Sequence, residues 1–190
     1  MARPPDRPRV RGGQPRVLLC AVAVLAAACA PSEAERNAPA DTRATATAAV
    51  DPAAAAAVVA TYDRVRAVQS DVLAGERSAE DAEAELAPLV DAPLLESMLE
   101  QFAYYEGEGV VHKGSAVSDP EVTALAGDPP TATLVDCWDT TGVDVVDERT
   151  GASAKDPNRP GRVPVTVRAE RGPAGGWVIT ELTMDFGRPC

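Results

Sequence analysis

The chain is predicted to fold as an α+β domain, with N-terminal helices packed on a curved antiparallel sheet, over residues 51–190. Three observations carry that prediction. Apolar residues recur at three- and four-residue spacing after Asp51, and the period switches to two after Gly109. Residues 30–50 are Ala, Thr, Pro and charges, which cannot bury enough surface to offset the entropy of ordering. Outside the N-terminal region there are two cysteines: Cys137 in the middle of a candidate strand, and Cys190.

Residues 1–16 carry Arg3, Arg7, Arg9, Arg11 and Arg16 and lead into the apolar run VLLCAVAVLAAA, residues 17–28. A basic start, a short apolar stretch and small residues at its end make a secretory signal peptide. The run falls short of the roughly 20 apolar residues that a spanning helix needs. No Arg-Arg pair occurs, so the general secretory route is expected. Leu25-Ala26-Ala27-Ala28-Cys29 resembles the lipobox of bacterial lipoproteins, with Ala26 at the place where leucine is usual. The resemblance implies a thiol at Cys29 that receives a diacylglyceryl group. The protein is therefore expected on the outer face of the cytoplasmic membrane, anchored by lipid. Residues 29–50 then form a flexible tether, spanning some 25 Å by square-root scaling.

Asp51 followed by Pro52 reads as a helix start. Val58, Tyr62, Val65, Val68 and Val72 supply its apolar face, and Gly75 ends it. Ser78 with Asp81 resembles a capping box, opening a short helix whose inward residues are Leu86, Leu89 and Val90. Asp91 starts a third helix with Leu95, Met98, Leu99, Phe102 and Tyr105 as its buried stripe, stopped by Gly107 and Gly109. Candidate strands follow at Val110–Val117 and Glu121–Ala126, then a turn at Gly127-Asp128-Pro129-Pro130. In the next strand Ala132, Leu134, Asp136 and Trp138 share one face, and Thr133, Val135 and Cys137 the other. Val143, Val145 and Val146 begin another strand, and residues 148–161 form an exposed connection. Val163, Val165 and Val167 alternate with polar residues, and Pro164 argues for the start or the edge of a sheet. After the hairpin turn Pro173-Ala174-Gly175-Gly176, Trp177 and Ile179 face one way and Val178, Leu182, Met184 and Phe186 the other. Apolar residues on both faces point to a sheet that curls over itself.

Three helices followed by a long antiparallel meander resemble the nuclear-transport-factor-like (cystatin-like cone) superfamily. The pattern Ala132-Thr-Leu-Val-Asp-Cys-Trp-Asp139, then Val146-Asp147, Thr150-Gly151, Gly176-Trp177-Val178 and Cys190, resembles a group of secreted proteins and lipoproteins of high-GC Gram-positive bacteria. The resemblance implies a fold and a compartment. It implies no reaction, since this superfold hosts many functions.

The net charge of −11 becomes −15 once residues 1–28 are removed, because 13 basic then face 28 acidic side chains. Such a surface repels phosphate backbones, so nucleic acid is not an expected partner. In an exported domain Cys137 and Cys190 are expected to pair as a structural disulfide, and no Cys-x-x-Cys spacing points to redox catalysis. Closing a loop of about 54 residues stabilises by about 4 kcal/mol in the chain-entropy picture. His112 is the single histidine. With Tyr105, Asp136 and Trp138 it is the candidate lining of a cavity, where Asp136 alternates in register with apolar residues. No residue is assigned a catalytic role. Asp136, Asp139, Asp144, Asp147 and Glu148 cluster, but their spacing matches no cation loop, and aspartate is frequent in turns for local reasons. There is no Gly-x-Ser-x-Gly, Ser-x-x-Lys, His-Glu-x-x-His or phosphate-loop motif. No cofactor or metal is expected. The expectation is a domain that binds a cell-envelope protein or an apolar small molecule; a small-molecule enzyme using the cavity and an accessory domain of a cell-wall enzyme or transporter are the alternatives.

Overall fold

The computed structural model describes residues 50–190. The predicted signal peptide, Cys29 and the predicted tether up to residue 49 lie outside the described residues. The chain runs through α1 (Pro52–Leu73), α2 (Ala79–Leu86), α3 (Ala92–Glu108), β1 (Val110–Gly114), β2 (Glu121–Ala126), β3 (Thr131–Asp139), β4 (Val143–Asp147), β5 (Arg162–Arg171) and β6 (Trp177–Met184).

Each helix begins at the side chain predicted to cap it. Asp51 accepts from the backbone N–H groups of Ala53 and Ala54, Ser78 from Asp81, and Asp91 from Leu94. These carboxylate and hydroxyl oxygens satisfy first-turn donors that have no partner inside the helix. α3 runs through Gly107, which is helical, and ends at Gly109 in the left-handed conformation (φ 63°). Only the second of the two glycines predicted to stop it does so.

The strands form two sheets. β2, β3, β5 and β6 pair antiparallel in that order, and β1 pairs separately with β4. The three helices pack on one face of the four-stranded sheet. Val58, Tyr62, Val65 and Val68 of α1 and Met98 and Phe102 of α3 are buried together with Leu134, Val165, Val167 and Ile179. The link between α2 and α3 covers part of the β6 edge: Ile179 donates to the Leu89 carbonyl at 2.8 Å, and Asp91 donates to that of Ile179 at 2.9 Å.

The sheet departs from the predicted one in four respects. The six described strands divide into a four-stranded and a two-stranded sheet instead of one long meander. The two-faced apolarity of β6 has another cause. Arg168 pairs with Glu181 while Ala169 pairs with Ile179, so Thr180 is an extra residue in β6. That bulge reverses the alternation, and Trp177, Ile179, Leu182 and Met184 all pack toward the same core. Pro164 is the third residue of β5, close to the expected strand start and before the pairing with β6 begins, but β5 is a central strand and not an edge. It is tolerated because its carbonyl faces the end of β6, where it accepts from Asp185 N at 3.0 Å. N–H and C=O of one strand residue point to the same side, so the missing donor costs no bond to β3, where Pro164 sits opposite Cys137. Finally, β1 stops at Gly114 (φ 91°), short of Val117. A side chain on Gly114 would run into the carbonyl of Gly142. Val117 then rejoins the structure by exchanging two hydrogen bonds with Asp139, at 2.8 and 2.9 Å.

Candidate functional site

Asp136 projects from β3 toward the helices and is 5 % exposed. Its Oδ2 accepts from the Tyr62 hydroxyl at 2.7 Å and from Ser118 Oγ at 2.8 Å, and its Oδ1 accepts from the Asp119 backbone N–H at 2.8 Å. Tyr62 in turn accepts from Arg66 Nε at 2.9 Å. Tyr62 and Arg66 are one helical turn apart on α1, so their side chains lie one above the other on its inner face. The Arg66 guanidinium lies 4.4 Å from the centre of the Trp138 ring and 5.1 Å from that of Tyr62. Its Nη1 donates to Gln69 Oε1 at 2.8 Å, and Gln69 donates onward to Gln101 of α3 at 2.9 Å. A chain of polar contacts thus runs from α3 through α1 to β3 and the segment before β2. Its weak point is Arg66 Nη2, which is buried without a partner.

Burial raises the pKa of Tyr62, Arg66 works against that rise, and the hydrogen bond to Asp136 adds to it. The phenol therefore stays protonated and donates to the carboxylate throughout the neutral range. An arginine and an aspartate in one interior, bridged by a phenol that gives to one and takes from the other, form a structural cross-link between two layers of the fold. Removing the Tyr62 hydroxyl leaves Arg66 Nε buried without its acceptor.

The four residues expected to line a cavity fall into two places. Asp136 and Trp138 belong to the buried chain under α1. Tyr105 and His112 meet edge to face with ring centres 5.2 Å apart, where α3 runs into the two-stranded sheet. His112 is opposite Val145 in register and half-buried, with Nε2 unpartnered. Its pKa is lowered, first by burial and then by the positive charge of Arg159. Two open concavities, of about 500 and 290 Å³, lie elsewhere. The larger is bounded by Glu108, Asp147 and Arg149, the smaller by Leu125, Arg171 and Trp177. None of the four expected residues lines either of them.

The acidic residues around β4 satisfy their own turns. Asp139 accepts from the Thr141 N–H at 2.9 Å and its hydroxyl at 2.6 Å, Asp147 from Thr150 at 2.7 and 2.8 Å, and Asp144 from Ser153 Oγ at 2.6 Å. Among the described residues no three His, Cys, Asp or Glu side chains are grouped so as to hold a metal ion.

Cys137 and Cys190 are joined, with Cα atoms 5.9 Å apart. Cys137 alternates with the core-facing Asp136 and Trp138, so the bond lies on the sheet face away from the helices. It carries the segment after β6 back across β5 to β3.

Tyr62, Ser118 and above all Arg66 escaped the sequence reading as members of a polar site. The spacing places Tyr62 in the apolar face of α1 and gives Arg66 no role. A signal existed: Arg66 follows Tyr62 by four residues on the inner face of α1, while β3 offers a carboxylate on its own inner face.

Two exposed aromatics complete the surface. Tyr104 is 63 % exposed and packs edge-on against Tyr105 at 5.6 Å; Phe186 is 46 % exposed, with the Arg159 guanidinium 4.7 Å from its ring centre. The positive charge of Arg159 is also felt at His112, where it adds to the lowering of the pKa.

No protein-family model matches the chain, and no curated protein matches it. Among solved structures, the intermembrane-space region of the chloroplast protein ARC6 is similar over 68 % of this chain and 95 % of that one, with 15 % identity and a TM-score of 0.47. A de novo designed β-sheet protein solved by solution NMR is similar over 67 % of this chain and 87 % of that one, with 13 % identity and a TM-score of 0.35. These likenesses are distant, and they assign the chain to no family.

Proposed function

We propose that this protein is a lipoprotein whose nuclear-transport-factor-like domain recognises a cell-envelope protein at the outer face of the cytoplasmic membrane. Lipid on Cys29 anchors it, and residues 30–50 give the domain reach. The observation that carries the reading is the division of labour among its polar and aromatic side chains. Asp136, the carboxylate best placed for chemistry, already accepts three hydrogen bonds inside the core. Tyr104 and Phe186, by contrast, are large aromatics left in water, the first packed edge-on against Tyr105 and the second facing the Arg159 guanidinium. Exposed aromatics beside an arginine are the residue types that dominate the energetics of protein interfaces. The strongly acidic remainder of the surface supports solubility and repulsion from anionic lipid headgroups.

The test is chemical crosslinking in intact cells, followed by purification and identification of what is attached. The Tyr104→Ala, Phe186→Ala double variant should lose the adduct while melting close to wild type, since both side chains are exposed. An adduct that survives the double variant removes this surface from the reading. Co-purification of a stoichiometric apolar small molecule in place of a protein replaces the reading with ligand carriage.

A further inference from the structure

We propose that the Cys137–Cys190 bond is a thiol-exchange site of fixed polarity, in which an incoming thiolate bonds to Cys190 Sγ and Cys137 departs as the thiolate. Two independent features set that polarity. The first is access. Thiol–disulfide exchange proceeds in line, with attacking, central and leaving sulfurs nearly collinear, so the nucleophile must approach from behind the sulfur it attacks. Cys190 is exposed and follows three exposed residues, Gly187, Arg188 and Pro189. Cys137 is half-buried in the middle of the sheet, on β3. Cys190 is thus the more accessible of the two sulfur-bearing residues.

The second feature is charge. Arg162 Nη2 lies 3.3 Å from Cys137 Sγ. A guanidinium at that distance favours the thiolate over the thiol and makes Cys137 the better leaving group. Asp139 faces the same guanidinium, with 3.6 Å between its Oδ2 and Arg162 Nε, and offsets part of this. Its other oxygen is held by the N–H and hydroxyl of Thr141, and it stays on the Nε side of the fork.

The exchange balances without an oxidant. A deprotonated thiol forms one S–S bond to Cys190, the Cys137–Cys190 bond breaks, and the electron pair stays on Cys137 Sγ beside Arg162. With a dithiol reductant, the second thiolate attacks the sulfur already bonded to Cys190. Cys190 then leaves as a thiolate, and the dithiol ends as a disulfide, having given two electrons to the protein. The structural consequence is local. β5 and β6 keep their pairing from Val165–Met184 onward, while residues 187–190 lose their tether to β3. Cys190 is thus a modification site for low-molecular-weight thiols, and the segment after β6 is a latch that such thiols open.

The test treats the folded, oxidised protein with reduced glutathione, quenches with acid at early times and maps the mixed disulfides. Adducts should sit on Cys190 in roughly tenfold excess or more over Cys137. Arg162→Gln should slow the first exchange roughly threefold, and Arg162→Lys should restore most of it. The Arg162 side chain is 54 % exposed, and a melting curve of each variant checks that it folds. An excess of adduct on Cys137, or equal amounts on both, overturns the polarity even if the Arg162 variants fail to fold. Exchange only at the rate of global unfolding overturns the site itself. A folded Arg162→Gln that reacts at the wild-type rate overturns the part assigned to Arg162.

Discussion

Tyr62→Phe keeps the ring that fills the space between α1 and β3 and deletes one oxygen. That oxygen donates to Asp136 at 2.7 Å and accepts from Arg66 at 2.9 Å. Hydrogen bonds to charged partners contribute about 1.5–3 kcal/mol each. Asp136 keeps Ser118 and the Asp119 N–H, whereas Arg66 is left with Gln69 alone and a second unpartnered nitrogen. Allowing for some rearrangement around the guanidinium, the expected loss is about 3 kcal/mol, or about 10 °C in melting temperature for a domain of this size. Urea unfolding followed by circular dichroism measures it. Asp136→Asn alone and the double variant complete a cycle whose coupling should be about 1–3 kcal/mol, because the two side chains touch. A Tyr62→Phe protein within about 0.5 kcal/mol of wild type, with zero coupling, refutes the cross-link. The same residue sets an alkaline limit. Its folded pKa is raised above the ordinary 10.0, so its contribution is present below pH 10 and is lost as pH rises toward the folded value. Tyr62→Phe should remove that limb of the stability curve.

Three further perturbations follow from the fold. Cys190→Ala should lower stability by about 4 kcal/mol through the loss of loop closure, read by denaturant titration against wild type; an unchanged midpoint argues against a stabilising bridge. Gly114→Ala should cost more than about 2 kcal/mol, because it combines a left-handed backbone with a clash against the Gly142 carbonyl; a neutral change in melting temperature contradicts the tight β1–β4 connection. His112 has a folded pKa below its ordinary 6.5, so its neutral form contributes stability that is present above pH 6.5 and is lost as pH falls through the window down to the folded value. His112→Gln should flatten stability across that window, whereas a slope identical to wild type places the histidine in solvent.

What could be read in the sequence was local. Asp51, Ser78 and Asp91 announce their helices because a cap is a contact between residues two or three apart. The alternation Ala132–Leu134–Asp136–Trp138 correctly places Asp136 on an inner face, because the pleat fixes it. Its partners lie 74 residues away on α1 and 18 away before β2, and no periodicity reports on such distances. The Thr180 bulge was illegible for a related reason. One inserted residue in β6 is defined only by its register against β5, and read without the partner strand it looks like an apolar face on each side. Strand order is likewise a property of pairing, so neither the separation of β1–β4 nor the central position of β5 had a local mark. The disulfide was legible since only two cysteines lie outside the N-terminal region.

Site-specific photo-crosslinkers at three positions in living cells test the recognition surface most directly: Tyr104, Phe186, and Thr166 on the open sheet face away from the helices. The expected result is the same protein adduct from positions 104 and 186 and none from 166. Strong adducts from 166 with none from either aromatic position would contradict recognition through the Tyr104–Phe186 surface.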